Sequence, residues 1–155
     1  MHDDPCGRAH RARRARWASA VTPASVAIVG GGAAGTLLAL HLSRLHGIRV
    51  TLFDAAGAFG RGAAYSATSP WHRLNVPALK MGGWHADDPD GFPQWLADRD
   101  GGTASSHGRR YVERAVYGEW LSAQLFDAVR AGHVQLVAPA YGRCSAHPKL
   151  FPAGN

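Results

Sequence analysis

The segment VAIVGGGAAG, residues 26–35, constrains the fold of this 155-residue chain more than any other stretch. An apolar, β-branched run that is typical of a buried parallel strand leads directly into glycines. Gly30, Gly32 and Gly35 follow the spacing Gly-x-Gly-x-x-Gly. Glycine is common where the backbone turns sharply or where another group must come very close to it. The segment therefore predicts a strand that ends in a tight turn.

The residues that follow the glycines predict a strand–helix–strand unit. Residues 33–46 are good helix formers, and Gly47 is suited to end the helix. The residues that the helical period places on one face of this helix are Leu38, Leu42 and Leu45. Residues 49–53 (RVTLF) predict a second strand, which Asp54 closes. Because a helix connects the two strands, they are expected to be parallel with a right-handed crossover, in an α/β fold.

Composition predicts one globular domain between two tails. The chain is 46% hydrophobic and 18% charged, which is typical of a folded protein. We place the domain at residues 25–138, a disordered basic tail at residues 1–24 and an irregular tail at residues 139–155. The basic tail has several arginines but no interleaved aromatic residues, so we do not favour nucleic acid as a partner.

The second half of the domain has weaker signals. Residues 55–90 are rich in glycine, proline and small residues, and so long a loop in a compact domain is typical of function. A short helix is expected over residues 92–99, a flexible link over residues 100–108, and a longer helix over residues 113–131. Residues 133–137 (HVQLV) predict a third strand. The longer helix is expected to have one apolar face, formed by Tyr117, Leu121, Leu125 and Ala128.

The glycine motif between strand and helix predicts a binding site for a dinucleotide. Gly30 allows the turn, Gly32 lets a diphosphate touch the backbone, and Gly35 lets the helix pack closely on the strand. The helix N-terminus then offers free N–H groups to the phosphates. The candidate residues of this turn are Gly30, Gly31, Gly32, Ala33, Ala34 and Gly35.

Asp54 is the predicted partner of the adenosine ribose. It lies at the end of the second strand, about twenty residues beyond the glycines, where a carboxylate can accept hydrogen bonds from both ribose hydroxyls. Its charge disfavours a 2′-phosphate, so NADP is the less favoured occupant. These residues leave NAD and FAD open, because both contain an ADP moiety.

Other readings of the sequence are less favourable. A nucleoside-triphosphate P-loop needs Lys followed by Ser or Thr, where this chain has Thr36 and Leu37. No apolar run approaches the ~20 residues of a membrane helix. Cys6 and Cys144 form no Cys-x-x-Cys pair, so we expect free thiols in a cytoplasmic protein. The nine histidines lack the spacing of metal ligands, and we predict no metal site.

Several segments together resemble the FAD/NAD(P)-binding proteins found among flavin-dependent hydroxylases, including the urate hydroxylase type. They are VAIVGGGAAGTLLALHL, VTLFDA, FGRGAAYSATSPWHRLNVPALKM, DDPDGFPQWL and YVERAVYGEWL, and they span residues 26–121. The resemblance implies a Rossmann-like βαβ fold and FAD as the cofactor, with NAD(P)H as a possible co-substrate. It also implies that GRGAAYS and LNVPA lie close to the flavin, with Arg61 at the diphosphate and Asn75 at the flavin or substrate edge. No catalytic residue is identified.

Two functions remain open at this point. One is the FAD-binding part of a flavin-dependent oxidoreductase, of which an NAD(P)H-dependent monooxygenase is one form. The other is a non-catalytic fragment that binds an ADP moiety. Members of the family that this chain resembles are longer and add further domains, so we expect a truncated domain with an incomplete sheet. Trp95 and Trp120 are expected in the core, whereas Trp71 and Trp84 are open candidates for stacking on a cofactor ring.

Overall fold

A computed structural model describes residues 24–138 of the chain as an α/β fold around a three-stranded parallel sheet. The strands are β1 (Ala24–Val29), β2 (Ile48–Phe53) and β3 (Val134–Val137), in the order β1-β2-β3. Val50 at the centre of the sheet is in register with Val26 on one side and Val134 on the other. The predicted Rossmann-like fold is confirmed, and both predicted tails lie outside the described residues except for Ala24.

Six helices connect the strands within this part of the chain. They are α1 (Ala33–Ser43), α2 (Gly62–Tyr65), α3 (Ala78–Met81), α4 (Gly91–Asp100), α5 (Ala104–Gly108) and α6 (Arg114–Arg130). None of these helices is long and apolar enough to cross a lipid bilayer. The segment over residues 55–90, which the sequence predicts as a loop, includes two short helices, α2 and α3.

The buried core has two parts. The first, which we call the sheet core, is aliphatic and lies between the sheet and helices α1 and α6. The sheet core consists of Ile28, Ala39, Val50, Leu52, Leu125 and Val134. The second, the aromatic core, lies among helices α3, α4 and α6. The aromatic core consists of Leu74, Ala78, Phe92, Leu96, Tyr117, Trp120 and Leu121.

Helix α6 contributes to both cores, and its predicted apolar face is confirmed. Tyr117, Trp120 and Leu121 in its first half lie in the aromatic core, whereas Leu125 in its second half lies in the sheet core. Trp120 is almost completely buried, as expected. Helix α6 therefore contributes buried side chains to both cores.

The predicted apolar face of α1 is wrong. Leu38 and Leu45 are about half exposed, at 49% and 53%, and the buried residues are instead Thr36, Ala39 and Leu40. The small residues Gly35 and Ala39 allow α1 to lie close to the sheet, and of the helix's leucines Leu40 is buried whereas Leu38 is half exposed. Helix α1 also ends at Ser43, three residues before the predicted end.

The predicted flexible link over residues 100–108 is also wrong, because it contains helix α5. Thr103 begins this helix with a capping box, in which the Thr103 hydroxyl accepts from the Ser106 N–H at 3.2 Å. The buried ring of His107 holds the Gly101 carbonyl oxygen at 2.7 Å through Nε2. These local hydrogen bonds order a segment whose composition resembles a linker.

Candidate functional site

The glycine turn at residues 30–32 connects β1 to α1. Gly30 has a φ of +108°, which side chains other than glycine rarely adopt, and its N–H donates to the Phe53 carbonyl at 2.8 Å. A Cβ on Gly35 would collide with the Gly30 carbonyl oxygen. The roles predicted for Gly30 in the turn and for Gly35 in close helix packing therefore correspond to the observed geometry.

The two other glycines of the turn lie against protein. A Cβ on Gly31 would be 2.7 Å from the Phe59 ring and 2.8 Å from Cβ of Asp54. A Cβ on Gly32 would be 3.3 Å from Cα of Gly62 at the start of α2. The closest neighbour of Gly32 is therefore the backbone of α2, a contact that the sequence motif does not reveal.

The N-terminus of α1 lies close to the backbone of Gly62, which is near Gly32 and Ala33. The first helical hydrogen bond runs from the Thr36 N–H to the Gly32 carbonyl at 2.9 Å. Within residues 24–138, the N–H groups of Ala33, Ala34 and Gly35 have no acceptor, no side chain caps the helix, and its first turn has no acidic residue. Unpaired N–H groups and the helix dipole together attract an anion.

Asp54 lies directly beside the glycine turn. Its Oδ2 accepts from the Gly31 N–H at 2.9 Å, and its Oδ1 accepts from the N–H groups of Ala56 at 2.9 Å and Ala58 at 3.1 Å. These donors, with Gly31 first, lower the pKa of Asp54 below its ordinary value, so the carboxylate is charged at neutral pH. Asp54 thus orders the turn itself, and a carboxylate has room for about one further hydrogen bond.

A segment after Asp54 clamps the glycine turn onto α6. The Gly60 N–H donates to the Gly31 carbonyl at 2.8 Å. The Ser122 hydroxyl of α6 has two acceptors in reach, the Gly118 carbonyl of its own helix at 2.9 Å and the Phe59 carbonyl at 3.3 Å. Arg61 follows, with its guanidinium 4.0 Å from Glu119 and its side chain 42% exposed. Sequence reasoning missed Gly60 and Ser122, for which the only local signal is the glycine pair in FGRG.

A groove of 640 Å³ runs between the glycine turn and α2. The predicted site residues that line it are Gly30, Gly32, Ala33, Ala34, Gly35 and Arg61. Gly31 and Asp54 are not lining residues, and the Gly31 N–H donates to Asp54 Oδ2. Asn75 is exposed and is not among the lining residues. We call this cleft the dinucleotide groove.

The geometry of this groove suits an extended, anionic ligand. Backbone N–H groups lie at its wall, and Arg61 adds a positive charge at its α2 side. Within the part of the chain that the structure describes, no group of His, Cys, Asp or Glu side chains is arranged to hold a metal ion.

Sequence comparison defines the class of protein. Residues 27–141 match the family model described as FAD-NAD(P)-binding, and the chain belongs to this family. The family predicted from the sequence segments is thereby confirmed, and the fold and glycine turn are consistent with a dinucleotide-binding domain.

Comparisons with individual proteins give little similarity beyond the family. No curated protein matches the chain. Among solved structures, the chain is similar to the crystal structure of Thermovibrio ammonificans THI4, with 14% sequence identity and a TM-score of 0.43. This similarity covers 85% of the present chain and 44% of the THI4 chain, so the present chain spans less than half of THI4.

Proposed function

We propose that this chain is the FAD-binding part of a flavin-dependent oxidoreductase of the NAD(P)H-dependent monooxygenase type. The observation that carries the proposal is the N-terminus of α1, which is uncapped among residues 24–138 and whose residues line the dinucleotide groove, while Asp54 hydrogen-bonds Gly31 of the same turn. The residues fit the cofactor, because a diphosphate supplies the acceptors that the N–H groups of Ala33, Ala34 and Gly35 lack within residues 24–138.

The residues of the groove would hold FAD in distinct ways. The α1 N-terminus binds the diphosphate, and Arg61 adds a second positive group for it. Asp54 uses its remaining acceptor capacity for the adenosine ribose, and its negative charge repels a 2′-phosphate. When bound, FAD supplies the redox chemistry of the oxidoreductase.

A charge placed at the helix N-terminus tests the site directly. Ala34 is exposed and lines the groove, so Ala34→Glu adds a carboxylate beside the proposed diphosphate. A negative charge at a helix N-terminus stabilises the helix, so the variant is expected to fold. We expect at least a tenfold weaker affinity for ADP and FAD, on the order of one charged hydrogen bond. Ala34→Gln has the same size without the charge and is the matched control.

The affinities are measured by titration calorimetry with ADP and by the visible absorbance of flavin that stays with the purified protein. Asp54→Ala should also weaken ADP binding by about tenfold, because it removes the ribose acceptor and loosens the turn. Asp90→Ala is its control, because Asp90 is exposed and makes no cap hydrogen bond. Equal ADP affinity in Ala34→Glu and Ala34→Gln would overturn the proposed diphosphate site.

A second candidate function is a non-catalytic unit that binds only the ADP moiety. The same groove supports it, because the groove needs no catalytic side chain. Flavin that co-purifies and is bleached by NADH supports the oxidoreductase. A colourless protein that binds ADP supports the second candidate.

We further propose a cytoplasmic location, because the two cysteines do not suggest a disulfide framework.

A further inference from the structure

A second cleft continues from the dinucleotide groove. It has a volume of 370 Å³ and shares Ala63 and Ala64 of α2 with that groove. Its other lining residues are Ala67, Trp71, His72, Arg73 and Arg114. A ligand that follows the dinucleotide groove past α2 therefore arrives at a cleft lined by two arginines, which we call the arginine cleft.

The two arginines are fixed by backbone carbonyls. Arg73 Nη1 donates to the Tyr111 carbonyl at 2.8 Å, and Arg114 Nε donates to the Arg73 carbonyl at 3.1 Å. The backbone N–H of Arg114 also donates to the His72 carbonyl at 2.8 Å. Each guanidinium has five N–H donors, so one such bond orients it and leaves most donors available.

Among the residues that the structure describes, Arg73 and Arg114 have no carboxylate counterion, a property that they share with Arg49 and Arg109. Arg61, Arg99, Arg110 and Arg130 each lie within 4.0 Å of a carboxylate. Among residues 24–138, no carboxylate lies within that distance of Arg73 or Arg114. Two oriented cations at one cleft without an acidic partner make a site for an anion.

An aromatic ring lies at the same cleft. The side chain of Trp71 is 85% exposed, which is unusual for so large an apolar group. An indole face of this kind can stack on a planar ring, a contact worth about 1 kcal/mol beyond the buried area. The alanines of α2 and Ala67 leave room beside it.

We propose that the arginine cleft binds a small planar organic anion, with its carboxylate on Arg73 and Arg114 and its ring on Trp71. The cleft would be the substrate subsite of the oxidoreductase, and this part of the inference rests on the proposed function. The cleft adjoins the dinucleotide groove at Ala63 and Ala64, so a substrate held in it would lie beside a cofactor bound in that groove.

The probe for this cleft is benzoate, titrated into the full chain and followed by calorimetry and by quenching of tryptophan fluorescence. Cyclohexanecarboxylate has the same charge without a planar ring, and inorganic phosphate has charge alone. We expect benzoate to bind more tightly than either. Equal binding of phosphate and benzoate would identify a general anion site, such as one for a nucleotide phosphate, and would overturn the proposal.

Two sets of variants locate the binding. The double variant Arg73→Gln/Arg114→Gln should weaken benzoate binding by at least about tenfold, because both charged hydrogen bonds are lost. The control Arg109→Gln/Arg130→Gln removes the same net charge at exposed positions outside the cleft. Unchanged benzoate affinity in the first variant, with folding verified by circular dichroism, would overturn the proposal.

A third variant keeps the test decisive if the arginine variant fails to fold. Trp71→Ala alters an exposed side chain, so the fold should persist, and it should weaken benzoate without affecting phosphate. Retention of full benzoate affinity in Trp71→Ala would contradict the stacking role and overturn the proposal. ADP affinity is measured in parallel. Benzoate binding with no ADP binding would contradict the proposed function alone, and ADP binding with no benzoate binding would contradict the cleft alone.

Discussion

The two cores of this chain use different side chains and support different kinds of site. The sheet core is built from aliphatic residues such as Ile28 and Leu52, and the dinucleotide groove above it is formed largely by backbone. The aromatic core is built around Phe92 and Trp120, and the nearby arginine cleft is formed by side chains. A site formed by backbone requires that the ligand come close to the main chain. A site formed by side chains requires that the fold bring together residues that are distant in sequence.

The N-termini of two helices show the same contrast. Helix α1 has no side-chain cap among residues 24–138, and its first residues line the dinucleotide groove. Helix α5 has a complete capping box at Thr103. A helix N-terminus without a cap has backbone N–H groups that can donate to a ligand. At a capped N-terminus, one of these N–H groups already donates to the cap side chain.

The largest expected effect comes from Trp120→Ala in the aromatic core. Trp120 is 1% exposed and contacts both Phe92 and Tyr117. Its removal should lower the free energy of unfolding by about 3–5 kcal/mol. Urea denaturation followed by circular dichroism measures this change.

Leu52→Ala in the sheet core is the matched comparison, with an expected loss of about 2–5 kcal/mol. Because α6 belongs to both cores, each variant should unfold in a single transition. A Trp120→Ala protein that melts in two steps, with ADP binding kept through the first, would show that the cores unfold separately.

A smaller loss is expected from Gly35→Ala, which tests the close packing under the glycine turn. The added methyl collides with the Gly30 carbonyl, so we expect a loss of at least about 2 kcal/mol from overpacking, together with weaker ADP binding. Gly101→Ala is the control, because its φ is +77° but nothing lies within 4 Å of the added Cβ. That variant should lose only about 1 kcal/mol. Equal losses would mean that the contact with the Gly30 carbonyl does not explain the glycine at position 35, which lies in a helix and has no positive φ.

The strand–helix–strand unit could be predicted from the sequence because its signals are local. Strand, glycine turn and helix follow one another within residues 24–53, and each is set by its own neighbours. The buried face of α1 could not be predicted from the sequence, because that helix is apolar on several sides. The close packing of Gly35 and Ala39 decides which side faces the sheet. In such a helix the apolar residues do not form a single stripe, so their spacing does not indicate the buried face.

The candidate site was predictable in part for the same reason. The glycines, Asp54 and Arg61 lie in recognisable segments, and the structure brings them to one place. The clamp from Ser122 to Phe59 and the pairing of Arg73 with Arg114 join residues far apart in sequence. No local pattern predicts such contacts, because they depend on how α6 packs across the domain.

Alkaline pH is expected to weaken the aromatic core specifically. Burial, with a smaller contribution from nearby Tyr65, raises the pKa of Tyr117 from 10.0 to about 12. The unfolded chain therefore releases this proton at lower pH than the folded protein does. The contribution of Tyr117 to stability is fully present below about pH 10 and is lost as pH rises toward 12.

Tyr117→Phe should flatten this alkaline loss, measured as the change in urea midpoint between neutral pH and the alkaline range. Tyr111→Phe is the control, because the Tyr111 ring is 53% exposed. An equally steep alkaline loss in Tyr117→Phe and in the unaltered chain would assign it to other groups.

The smallest expected effect is that of Thr103→Ala at the start of α5. The Thr103 hydroxyl accepts from the Ser106 N–H at 3.2 Å, and the loss of such a cap costs about 1 kcal/mol. Ser105→Ala is the control, because Ser105 is exposed within the same helix and has no part in the capping box. Thermal unfolding should separate the two variants, and ADP affinity should be equal in both. If Thr103→Ala instead weakened ADP binding, the capped end of α5 would be coupled to the uncapped end of α1, and the contrast between a structural and a ligand-binding helix terminus would fail.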